Sequence, residues 1–81
     1  MTNQSIPLTK LATREKGTML RLRGGAGFVS RLATLGFTPG APLTMVQNYG
    51  HGPLIVLVRD ARIALGRGEA AKIIVTRGNH D

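Results

Sequence analysis

Apolar side chains recur along this chain at two spacings, and each change of spacing marks a change of element. From Thr18 to Arg23 they alternate with polar residues, placing Leu20 and Leu22 on one side and Arg21 and Arg23 on the other, the pattern of a half-buried strand. From Phe28 to Leu35 the period lengthens. Phe28, Leu32 and Leu35 stand at i, i+4 and i+7 on one face of a short helix, while Arg31 and Thr34 point away. A helix of about two turns does not hold by itself, so packing of Phe28, Val29, Leu32 and Leu35 must support it. Gly36 stands where that helix ends: glycine takes the left-handed conformation that satisfies the last carbonyls, and Phe37 can fold back on the final turn. Thr38-Pro39-Gly40-Ala41 then forms a turn, with proline presetting its second position and glycine supplying the positive φ of its third.

The remaining pattern is strand and turn. Met1 to Ser5 reads as a loose end, and Leu8 and Leu11 are the first core contacts. Glu15-Lys16-Gly17 is a turn, and Gly24-Gly25-Ala26-Gly27 releases the chain into the helix. Leu43 to Tyr49 forms a strand with Leu43 and Met45 on one face, and Asn48 to Pro53 has turn chemistry. Leu54 to Arg59 shows no polar face, which predicts a central strand covered on both sides. After a reversal at Asp60-Ala61, Arg62 to Leu65 returns with Ile63 and Leu65 inward. Gly66 to Lys72 makes one helical turn, Ile73 to Thr76 is the last strand, and Arg77 to Asp81 is a polar tail. About five short strands with one small helix predict a mainly β chain folded as a compact antiparallel barrel, whose closure removes exposed edges.

Composition narrows the class. The 81 residues allow one domain, with its ordered part over about residues 7–76, and 42% hydrophobic content with 11 glycines fits a globular, turn-rich chain. There is no cysteine, which excludes a disulfide framework and a thiolate metal site. Met1 to Ile6 is polar and too short for a secretory apolar region, and no apolar run approaches the roughly 20 residues of a membrane helix, so a cytoplasmic chain is expected. Eleven Lys and Arg against four acids give a net charge of +7, which favours acidic partners of several kinds. The cations are scattered along the chain, as on an ordinary solvated surface.

Candidate chemistry is sparse. The glycines at 24, 25 and 27 lack the Gly-Lys-Ser/Thr ending of a phosphate loop and the βαβ frame of a dinucleotide site. His51, in a glycine-flanked loop, and His80, in the tail, are the candidate ligands for ferrous or another divalent transition metal, but neither has a partner at ligand spacing. A nucleophile elbow, a cysteine nucleophile and a pair of acids placed for proton transfer are all missing, so no catalytic residue is assigned. Asp60 serves a turn and Glu69 the start of a helical turn. Single strands stack on exposed rings, and with Phe28 and Phe37 committed to the helix only Tyr49 is free, so a basic barrel that binds a nucleic-acid phosphate backbone through its arginines stays open as the alternative, beside a metal sensor using His51 or His80.

Several ordered signals together resemble a known family. Leu8-Thr9-Lys10-Leu11, Gly17 before a strand, Gly24-Gly25, the stretch from Arg31 to Gly40, Ile63-Ala64-Leu65 and Glu69 to Val75 resemble the FeoA-like ferrous iron transport proteins over roughly Pro7 to Thr76. The stretch from Arg31 to Gly40 is the most specific of them. The same module resembles the C-terminal domain of iron-dependent repressors, but their helical DNA-binding domains have no counterpart here. The resemblance implies a barrel of the Src-homology-3 (SH3) type and a non-enzymatic accessory of the FeoB membrane permease, acting on its cytoplasmic GTPase region. It reaches the membrane only through that partner and is a candidate for self-association. The family supplies no agreed site. Leu32, Leu35, Gly36, Phe37, Pro39 and Gly40 are then fold residues, and Arg21, Arg23, Arg31, Thr34 and Tyr49 form the expected contact set. One departure is Gly66-Arg67-Gly68, richer in glycine than the family's arginine-rich turn.

Overall fold

Alternation of buried and exposed residues in the strands is set by a single core, and it differs from the expected pattern where a bulge intervenes. The computed structural model describes residues 5–78. In chain order these form β1 (Ser5–Pro7), a 3₁₀ turn (Leu8–Lys10), β2 (Lys16–Leu22), α1 (Ala26–Thr34), β3 (Pro42–Gln47), β4 (Leu54–Val58), β5 (Ala61–Leu65), α2 (Arg67–Ala70) and β6 (Ile73–Arg77). The strands make one antiparallel sheet in the order β1-β6-β2-β3-β4-β5. Among the described residues six strands are present where about five were expected, because Ser5–Pro7, which spans the boundary between the expected loose end and the ordered part, pairs with β6.

Side chains from both ends of this sheet meet in one cluster. Ile6 of β1 and Leu65 of β5 pack on the core formed by Leu8, Leu11, Met19, Leu32, Phe37, Leu43, Met45, Leu54, Val56, Val58, Ile73 and Val75. A flat six-stranded sheet would hold its outer strands roughly 24 Å apart, so a shared core requires the sheet to curl on itself as a barrel does. Among the described residues β1 and β5 remain the two ends of the ladder, so hydrogen bonding stops short of full closure. The last strand, β6, lies between β1 and β2, because α2 returns the chain across the barrel.

Three expectations are corrected. In β2, Met19 pairs with Val75 and Arg21 with Ile74, which leaves Leu20 as the extra residue of a bulge. Gly17 and Met19 therefore face inward, and Leu20 is 37% exposed. β4 is not central: it lies next to the outermost strand, with Leu54, Val56 and Val58 buried and Leu57 exposed. The reversal after it occurs at Arg59-Asp60, since Val58 pairs with Ala61, and both turn residues take positive φ (50° and 64°), as a two-residue hairpin loop demands.

The helix-to-turn stretch forms largely as its sequence dictates. α1 begins at Ala26, earlier than expected, and its end is closed by the N–H of Gly36 donating to the carbonyl of Ala33 and that of Phe37 to the carbonyl of Leu32, both at 3.0 Å. This is the paired closure of a Schellman motif, with Gly36 at φ 111°. It carries Phe37 into the core beneath Leu32. With that position filled, Leu35 caps the helix at 37% exposure and is not a core residue. Pro39 and Gly40 are exposed turn residues, with Gly40 at φ 89°.

Candidate functional site

The expected contact residues sit at the end of β2, on α1 and in the β3–β4 loop. Arg21 and Arg23 are exposed at the end of β2, and the Arg23 N–H bonds the carbonyl of Lys72. Arg31 is exposed but engaged: its guanidinium meets the carboxylate of Glu69 at 2.5 Å, tying α1 to α2. It also lies 5.8 Å from the centre of the Phe28 ring, which Lys72 approaches at 5.4 Å. The Thr34 hydroxyl donates back to the carbonyl of Ser30. Tyr49 is 69% exposed in the β3–β4 loop, beside an exposed His51. Arg31 and Thr34 therefore share a face of α1, Arg23 adjoins the same neighbourhood through Lys72, and Tyr49 lies on a different loop.

The Arg31 guanidinium, and after it the Gly66 N–H, hold the Glu69 carboxyl below the usual glutamate range. A lowered folded-state pKa contributes stability that is present above the ordinary carboxylate range and lost as pH falls through the lowered midpoint. A carbon-detected titration of Glu69 is expected to show this lowered midpoint, and Arg31→Ala to move it upward. An unmoved midpoint in that variant would mean that the ion pair is not formed.

A polar hub escaped the sequence reading. Asn48 donates from Nδ2 to the carbonyls of Thr9 (3.1 Å) and Leu11 (2.8 Å), and its backbone N–H donates to the Thr13 hydroxyl (2.9 Å). Its Oδ1 accepts from the Gly50 N–H and from Arg67, each at 3.0 Å, while Arg67 also donates to the carbonyl of Gly52. One side chain thus joins the 3₁₀ segment, the β3–β4 loop and α2. Only the local bond to Gly50 was legible, as an Asn-initiated turn; the others span 19 to 39 residues. Asn48→Ala is expected to cost about 1 to 3 kcal/mol, because it leaves several partners unsatisfied at once. Denaturant unfolding, with proteolysis of the loop at 48–53, measures it; an unchanged midpoint would show the hub to be dispensable.

His51 is exposed in the β3–β4 loop. His80 lies outside the described residues, and among those residues no group of three or more His, Cys, Asp or Glu side chains that could hold a metal is brought together. Nor is any helix among them long and apolar enough to cross a membrane.

With this geometry in place, the family assignment rests on the whole barrel. The FeoA domain model matches residues 6–77. The chain belongs to the FeoA domain family. A protein of Methanocaldococcus jannaschii named for Fe(2+) transport is 33% identical over 69 residues, covering 85% of this chain and 83% of that one. The crystal structure of an iron uptake regulatory protein, FeoA, superposes with a TM-score of 0.85 at 30% identity, over 91% of this chain and 99% of the other. The Stenotrophomonas maltophilia FeoA, complexed with zinc and described as a prokaryotic SH3 domain protein, gives a TM-score of 0.74 at 26% identity over 93% and 89% of the two chains. The SH3-like barrel is thereby the fold of a FeoA protein, and the family is one of ferrous iron transport.

Proposed function

We propose that this FeoA chain is a non-enzymatic cytoplasmic accessory that binds the cytoplasmic GTPase region of a FeoB-type ferrous iron permease and modulates its transport or its nucleotide hydrolysis. The observation that carries this reading is the FeoA match over residues 6–77. Two physical features support it. A barrel of this type commonly docks segments of other proteins. The net charge of +7, with Arg21 and Arg23 exposed, gives a field that draws an acidic surface and raises the association rate more than the affinity.

Copurification is the direct test. The tagged chain is expected to retain the permease's cytoplasmic region at low salt and to lose it progressively as salt rises. Deletion of the chain is expected to alter ferrous uptake by intact cells. No retention at low salt together with unaltered uptake would end the proposal.

A further inference from the structure

The outer face of β4 is more apolar than an uncovered strand should be. Where one face of an antiparallel sheet meets water, outward residues are ordinarily polar. Here β4 presents Ile55 half-buried and Leu57 36% exposed on that face, opposite the buried Leu54, Val56 and Val58. The register sets Leu57 between Thr44 and Arg62, and Ile55 between Gln47 and the exposed Ala64. Lys16 pairs with Thr44, so one row across four strands reads Lys16, Thr44, Leu57, Arg62, with a cation at each end roughly 15 Å apart.

Two adjoining hollows deepen this face. One of about 370 Å³ is lined by Lys16, Pro42, Leu57, Arg59 and Asp60 among others. The second, of about 480 Å³, runs along the turn from Thr38 to Pro42 and also touches Arg59. Pro42 and Arg59 are common to both, so the two form one groove. Arg59 is fixed at that junction: its guanidinium bonds the Thr38 hydroxyl at 2.9 Å and the carbonyl of Gly36 at 3.4 Å. It is held there although its φ of 50° is costly for a residue with a β-carbon.

We infer that this groove, with Leu57 as an exposed apolar residue in its wall, is where the partner docks, and that the docked segment carries an apolar side chain flanked by carboxylates. This rests on the permease reading above and names its surface. Charge complementarity selects the occupant. Among the described residues, Lys16, Arg59 and Arg62 stand around Leu57 against Asp60, so a second copy of the same face would oppose cations to cations, whereas an acidic segment would be matched. The scattered arginines then serve encounter, and the groove supplies the lasting contact.

The test measures binding of the permease's cytoplasmic region to the full chain by surface plasmon resonance. Leu57→Asp is expected to weaken binding at least about tenfold, chiefly through faster dissociation. Leu57→Thr, which keeps a strand-compatible residue, should weaken it in the same direction. Arg62→Glu should lower affinity and flatten its salt dependence. Leu20→Asp is the comparator, since Leu20 has nearly the same exposure but lies outside the groove, and its dissociation rate should equal that of the parent. Parent-like binding by both Leu57 variants, with the chain folded, would overturn the inference while leaving the permease reading intact. A dimer broken by Leu57→Asp with retention unchanged would overturn it in favour of a second copy. Failure of the parent chain to bind at all overturns the permease reading and this inference together, and it is seen before any variant is compared.

Discussion

Phe37→Ala is expected to destabilise the fold by about 3 to 5 kcal/mol. The ring is fully buried and packs in the same cluster as Leu32. Its backbone N–H, which closes α1 on the carbonyl of Leu32, survives the substitution, so the loss comes from the ring itself: transfer of its surface to water and the cavity left behind. A domain of this size has a total stability of only about 4 to 12 kcal/mol. The variant should therefore lie close to unfolding, and loosening the end of α1 should also release the Arg31–Glu69 tie to α2. Urea unfolding followed by circular dichroism checks it. A midpoint equal to the parent's would place the ring outside the core.

Leu32→Ala should cost about 2 to 5 kcal/mol, and Leu35→Ala less than about 1 kcal/mol. Judged by helical spacing alone the two leucines are equivalent, each in register with Phe28 on one face. In the folded chain they differ, for Leu32 is fully buried and Leu35 is 37% exposed. The buried stripe of α1 is centred on Leu32, with Phe28, Val29 and Ala33 partly covered beside it. Leu35 has passed beyond the last helical turn and caps it. Paired unfolding curves under one set of conditions decide the matter. Equal losses for the two variants would mean that the helix is rotated relative to the core.

Side chains already engaged within the fold are less available to a partner. Side chains that hold α1 and α2 together, above all Arg31 and Glu69, are already occupied with each other. Tyr49 is exposed, but its loop is fixed from within by Asn48 and Arg67. The outer sheet face differs in kind, because Ile55 and Leu57 lie outside the core cluster and Leu57 stands exposed in a row otherwise made of Lys16, Thr44 and Arg62.

The parts of the fold that were legible in advance are those governed by neighbours in sequence. The stop at Gly36, the return of Phe37 onto the last turn and the turn at Pro39-Gly40 follow from backbone conformations that few residues other than glycine adopt, and from closures spanning only a few residues. The inward pairs Leu43 with Met45 and Leu8 with Leu11 were readable for a related reason, since a two-residue period or a single helical turn fixes them. The expected contact set fared differently. Arg21, Arg23 and Tyr49 are exposed as anticipated, but Arg31 had an acid awaiting it 38 residues away.

What the sequence by itself determined is therefore the helix stop, most of the strands, the mainly β class and, through its ordered motifs, the FeoA family. Tertiary structure alone decided the rest. A bulge at Leu20 turned that side chain outward, because one extra residue reverses which side of a pleated strand faces the core. Strand order set β4 beside the edge with one face uncovered, although its uniformly apolar sequence fits a strand buried on both sides. The Asn48–Arg67 hub and the groove at Pro42, Arg59 and Leu57 each join residues that are far apart in the chain. Local propensity carries no information about which distant segment will arrive; only the curl of the sheet around one shared core brings those residues within reach of one another.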